Sequence, residues 1–111
     1  MDERIEKWLY DIRQAIKEID GYFDTGETDF NKFSENMLLR RGVERNLEII
    51  GEAMNRILTR DPKFPIDSAR KIVGLRNYII HSYDNISDAA LWAIVMNNLP
   101  TLRKEIEKLF G

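Results

Sequence analysis

A chain of 111 residues with 43% hydrophobic content and 17 basic against 19 acidic side chains suits one domain, 1–111, and is excluded from the disordered and membrane-spanning classes. Its net charge of −2 argues against a general nucleic-acid coat, which needs excess positive charge, but leaves room for a local basic cleft. With no cysteine, disulfides, iron–sulfur clusters and thiolate zinc sites are removed; with no basic-then-apolar leader and no run of ~18 apolar residues, a cytoplasmic location is expected and a membrane is not.

Residues 2–20 set Ile5, Trp8, Leu9, Ile12, Ile16 and Ile19 at steps of three and four, which predicts an amphipathic helix ended by Gly21 and an Asp24-Thr25-Gly26 loop. A second helical region starts near Thr28 or Asp29, places Phe30, Phe33 and Met37 on one side, and runs through Leu38, Val43, Leu47, Ile50, Met54, Ile57 and Leu58 to about Thr59. That length exceeds the usual ~8–20 residues of a globular helix, so a break near Asn36 or Gly42 is expected. Within it, Arg40, Arg41 and Arg45 form a basic cluster: a solvated face, or a contact for RNA phosphates or an acidic partner. Glu52 stands in the apolar run Ile49–Ala53, where a buried carboxylate would need an arginine, so it is read as a structural partner of the next helix.

Pro62 and Pro65 break the chain, and Asp67 or Ser68 then caps a helix over residues 67–80 whose apolar set is Ala69, Ile72, Val73, Leu75, Tyr78, Ile79 and Ile80. Into it the sequence inserts Arg76, Asn77 and the single histidine, His81, groups that are costly to bury unless paired or facing a wet cleft. Asn77 and His81 are four apart and nearly eclipsed, and arginine's length lets Arg76 reach the same side. Ser82, Asp84, Asn85 and Ser87 make a turn, which sets His81 in the last helical turn and Tyr83 at or beyond its end. Ser87 or Asp88 caps a final helix carrying Leu91, Trp92, Ile94, Val95, Leu99, Leu102, Ile106 and Leu109, which Pro100 should kink or split. With no strand pattern or repeat, the expected fold is all-α: an antiparallel bundle of four or five helices.

The pattern R-x-x-x-x-H-x-Y, written by Arg76, His81 and Tyr83, resembles the signature of the HEPN superfamily and, within it, the HepT-like ribonuclease toxins of prokaryotic toxin–antitoxin pairs. The stretch Val43–Ala53 is similar to that family's helix ending in Gly-Glu-Ala, and Gly74-Leu75-Arg76-Asn77 to the start of its motif. Leu91-Trp92-Ala93-Ile94 with Asn98-Leu99-Pro100 resembles its last helix. One departure is Asp67-Ser68-Ala69, where family members often carry a tryptophan.

RNA cleavage without a metal needs a base for the ribose 2′-OH, an acid for the leaving 5′-oxygen and positive charge for the transition state. One His81 and one Arg76 do not comfortably supply all of these, so a homodimer that pools two motifs in one cleft is expected, in agreement with the resemblance. In that reading His81 is acid or base, Arg76 binds the scissile phosphate, and Asn77 orients either. Tyr83 contacts substrate or, as the resemblance implies, is the hydroxyl that a nucleotidyltransferase antitoxin modifies with AMP in a type VII-like pair. The alternative is a non-catalytic dimeric binding module for a nucleotide or for such a nucleotidyltransferase. No cofactor is expected, and a metal enzyme fits least, because one histidine and scattered carboxylates offer no clustered metal site.

Overall fold

In the computed structural model, which describes residues 2–23, 29–66, 68, 71, 74 and 88–110, every regular element is helical. Helix α1 spans Glu3–Tyr22, α2 Phe30–Glu35, α3 Met37–Arg60, α4 Asp88–Ala93 and α5 Leu99–Phe110; a π-helical segment, Ile94–Asn98, joins the last two. The all-α expectation is met. No helix of the described residues is long and apolar enough to cross a membrane.

Asp2 starts α1 by accepting from the backbone N–H groups of Arg4 at 2.8 Å and Ile5 at 3.2 Å, donors that a helix start otherwise leaves without partners. Gly21 does not end the helix, as the sequence suggested; Tyr22 does, and the Phe23 N–H closes it on the carbonyls of Asp20 and Gly21. The long second region divides at Asn36. That residue is extended (φ −98°, ψ 94°), and its side chain accepts from the Leu39 N–H at 3.0 Å, so the end of α2 becomes the cap of α3. The division resets the helical phase. Phe33 is buried, whereas Met37, expected to share its side, is 55% exposed in the first turn of α3, and Leu38 beside it, expected on the apolar run that follows, is 84% exposed.

Helices α1 and α3 run antiparallel, and their polar contacts fix the direction. At one end Arg60 grips the Asp2 carboxylate at 2.8 Å; at the other Asn46 donates through Nδ2 to the Tyr22 hydroxyl at 3.1 Å and to the Gly42 carbonyl at 3.0 Å. Between these ends Ile5, Leu9, Ile12, Ile16 and Ile19 are buried against Val43, Leu47, Ile50, Met54 and Ile57. Tyr22 lies so close over Gly42 that a Cβ there would sit 3.1 Å from the ring, which gives this glycine a packing reason. Helix α5 is antiparallel to α1 as well: Arg103 pairs with Asp20, while Arg13 meets Glu107 at 3.3 Å and the Phe110 ring at 4.8 Å.

Pro100 acts as the sequence suggested, but through a π turn. Proline has no N–H and its ring collides with the carbonyl four residues back, which an unbroken α-helix could not accept. The helix widens just upstream, where the Leu99 N–H reaches back to the Ile94 carbonyl. Pro100 then falls in the first turn of α5, where a missing N–H costs little.

The burial pattern sets an expected contrast in stability. Ile50→Ala, at a fully buried position, should lower the unfolding free energy by ~2–5 kcal/mol, and Leu38→Ala should stay within ~0.5 kcal/mol, as read by urea denaturation.

Candidate functional site

Arg76, Asn77, His81 and Tyr83, which carry the chemistry expected from the sequence, lie outside the described residues, as do the expected capping residues Asp67 and Ser87. The described structure instead shows how the chain is held on either side of them. On the upstream side Ser68 donates to Glu105 of α5, from its hydroxyl at 2.8 Å and from its backbone N–H at 3.4 Å. On the downstream side Asp88 opens α4, and both of its carboxylate oxygens are taken. Ser34 donates to Oδ2 at 2.6 Å and Arg40 to Oδ1 at 2.9 Å, which joins α4 to α2 and α3.

This places Arg40 differently from the basic cluster read in the sequence. Its guanidinium is one-quarter exposed and engaged with Asp88, and its Nε is buried with no hydrogen-bond partner among the described residues. Arg41 is exposed, and Arg45, 71% exposed, lies 3.5 Å from Glu48. The three arginines therefore do not act as one patch: one is a tie between helices and two remain on the solvent side. A distance of 48 residues along the chain separates Arg40 from Asp88, and no local pattern could have paired them.

Glu52 corrects a second expectation. It is half exposed on α3 and accepts from Arg56, one turn on, at 2.7 Å, so it is not a buried carboxylate. The physical reason is helical phase: Gly51 and Ala53 on either side are buried, and Glu52 takes the position that turns outward. Exposed pairs of this spacing contribute ~0.3–0.5 kcal/mol. The buried polar residue of α3 among the described residues is instead Asn46, 3% exposed, whose side-chain carbonyl oxygen has no partner among them. Its polar character in an apolar stripe was the available signal.

Two carboxyl groups near the tie behave oppositely. Asp88 is held below its ordinary value of 3.8 chiefly by the hydrogen bond from the Ser34 hydroxyl; burial opposes this, and the hydrogen bond and charge of Arg40 add to the lowering. Glu44 is pushed up, mainly by burial and then by the neighbouring Glu48, with Arg40 and Arg41 pulling the other way. Close by, Trp92 packs between Phe33, Phe23 and Phe30, with ring centroids at 5.3, 6.1 and 5.9 Å. Among the described residues no group of three histidine, cysteine or carboxylate side chains is placed to hold a metal ion.

A family model described as ribonuclease HepT-like matches residues 12–109, a span that includes the whole Arg76–Tyr83 motif. The chain is 39% identical over 105 residues to a protein of Methanocaldococcus jannaschii named "Putative RNase MJ1380", with 93% of this chain and 94% of that one covered. It is 33% identical over 103 residues to one of Thermococcus cleftensis named "Probable ribonuclease HepT", with 92% of each covered. No solved structure matches the chain.

Asp88 generates a pH dependence. Because its folded value is depressed, the stabilisation it gives is present above the unfolded value and is lost as pH falls through the folded one. Asp2, lowered chiefly by its hydrogen bond from Arg60, has the same sign. Melting curves below about pH 4 should fall more steeply for the wild type than for Asp88→Asn, which lacks this titration.

Proposed function

The chain belongs to the ribonuclease HepT-like family, and from that premise we propose that it is an endoribonuclease that cuts RNA without a metal, in a cleft shared by two copies of the chain. The observation that carries the reading is the family match across residues 12–109, because it spans the one stretch of this sequence with an arginine, a histidine and a tyrosine in the order the chemistry uses.

The reaction is an in-line displacement at phosphorus. A base removes the proton of the ribose 2′-OH, the 2′-oxygen bonds to phosphorus, the bond to the 5′-oxygen breaks, and an acid gives that oxygen its proton. The products are a 2′,3′-cyclic phosphate and a free 5′-hydroxyl. His81 of one copy serves as base and His81 of the other as acid, a division suited to imidazole, which titrates near ~6.5. Arg76 offers a planar fork of donors to the phosphate oxygens as negative charge builds on them. Asn77 orients the imidazole or the phosphate, and Arg41 and Arg45, both exposed, contact the more distant backbone of the RNA in this reading.

Tyr83 gives the reading its control. A nucleotidyltransferase partner, the antitoxin of a type VII-like pair, transfers AMP from ATP to the Tyr83 hydroxyl: the tyrosine oxygen bonds to the α-phosphorus, pyrophosphate leaves and the phenolic proton is lost to solvent. The added bulk and negative charge then repel RNA from the cleft. Such a protein works in the cytoplasm, where its RNA and its partner are. The second reading, a non-catalytic module that binds a nucleotide or the nucleotidyltransferase, uses the same residues and differs only in leaving RNA intact.

Purified wild type, first treated with phosphodiesterase to remove any AMP, should cut total RNA in EDTA and leave 2′,3′-cyclic phosphate ends. His81→Ala and Arg76→Ala should each lose ~10²–10⁴-fold in rate. Intact RNA with the treated wild type sinks the ribonuclease reading and leaves the binding module. Cleavage that stops in EDTA and returns with a divalent cation sinks metal independence alone.

A further inference from the structure

A cleft of about 510 Å³ lies where the end of α1 meets the corner between α2 and α3. Its walls include Tyr22, Phe23 and Leu38, the buried Phe33 forms part of its floor, and Asp29 and Asn36 bring polar groups to it. That size and that mixture suit a planar ligand with part of an attached sugar. Resting on the ribonuclease reading, we propose that this cleft takes one unpaired base of the RNA substrate, and that Arg41 and Arg45 hold the backbone phosphates that follow it.

Three observations favour a base over the apolar side chain of a protein partner. The first is a stacking wall fixed in advance. Tyr22 has its ring seated over Gly42 and its hydroxyl held by Asn46 at 3.1 Å, so little ordering is left to be done when a base stacks on it. The second is the polar edge. Asp29 accepts through Oδ1 from the Asn31 N–H at 2.9 Å, and Asn36 through Oδ1 from the Leu39 N–H at 3.0 Å. These cap bonds orient both side chains and leave Oδ2 of Asp29, an acceptor, and Nδ2 of Asn36, a donor, with no partner among the described residues. A base edge carries donors and acceptors side by side, whereas a leucine or phenylalanine would leave both groups unmet.

The third observation is charge. Leu38, Arg41 and Arg45 stand at steps of three and four on α3, so they share a face that rises ~10.5 Å from the cleft wall to Arg45. Both arginines are exposed, and the contact of Arg45 with Glu48, at 3.5 Å, is a surface pair weak enough to yield to a phosphate. A strand leaving the cleft along this face meets two cations in succession.

Binding of short single-stranded RNA to phosphodiesterase-treated His81→Ala, followed by fluorescence anisotropy, tests the assignment without any cleavage. Leu38→Asp in that background, which puts a carboxylate in the first turn of α3 where a helix tolerates it, should weaken binding ~10-fold or more. A duplex of the same length, whose bases are paired and stacked, should bind ~10-fold weaker than the single strand. Arg41→Gln and Arg45→Gln should each lower the slope of log affinity against log salt by ~0.7. Two substitutions that keep the caps read the base itself. Asp29→Ser removes the free acceptor and Asn36→Asp turns the free donor into an acceptor, so each should change the relative affinity for oligo-A, oligo-C and oligo-U by ~5-fold or more. Equal binding of duplex and single strand, unchanged affinity in a folded Leu38→Asp, or a base preference that neither cap-keeping variant alters overturns the cleft as a base site, even if the wild type cuts RNA. If the wild type cuts no RNA while these variants behave as expected, the ribonuclease reading has failed and the cleft stands as an RNA-binding site.

Discussion

The interlocked apolar seam of α1 and α3 is the constraint from which the remaining structure follows. Two long helices can bury their stripes only if they lie side by side, and here they do so antiparallel, tied by Asp2 with Arg60 at one end and by Tyr22 with Asn46 at the other. Once that pair is set, the third face of the core is defined. Leu91, Ile94, Leu99, Leu102 and Ile106 close it from the C-terminal helices, and Phe33 of α2 plugs the end. The seam stabilises the fold mainly through removal of apolar area from water, and the charged contacts at its ends select direction more than they add stability.

Elements whose cause is local were legible in the sequence. Asn36 can cap a helix within its own turn, so the division of the long second region could be anticipated from residue type and length alone. Pro100 disturbs its helix for reasons contained in its own ring, although the sequence could not choose between a kink, a split and the π turn that the structure adopts. Features that depend on distant partners were not legible. The burial expected of Glu52 came from apolar neighbours in sequence, but neighbours one position apart face different directions on a helix, and its arginine proved to be Arg56 on the same surface. The Arg40 side chain looked like one of three equivalent surface charges until Asp88 was placed beside it. Of the expected site, Arg76, Asn77, His81 and Tyr83 were singled out by residue type and spacing and lie outside the described residues, while the structure adds the contacts of Ser68 before them and of Asp88 after them.

Those fastenings show a division of labour between scaffold and chemistry. Helices α1 and α3 supply the apolar mass. The contacts near the motif stretch are polar and short: a serine on a glutamate upstream, a serine and an arginine on an aspartate downstream. Polar ties of this kind give direction as well as attachment, because a hydrogen bond weakens when its angle is lost whereas an apolar contact tolerates sliding.

The π turn before Pro100 also makes the helix intolerant of changes in length. A hydrogen bond that closes over five residues admits one residue more than an α turn, which advances the downstream helix by ~100° of rotation. Leu99, Leu102 and Ile106 lie buried just beyond it. Losing one residue between Ile94 and Asn98 would let this turn close as a regular α turn, and the ring of Pro100 would then stand against the carbonyl four residues before it. The residue count from Leu91 to Leu102 is therefore a structural parameter in its own right, and among descendants of this chain, insertions and deletions belong in the loops.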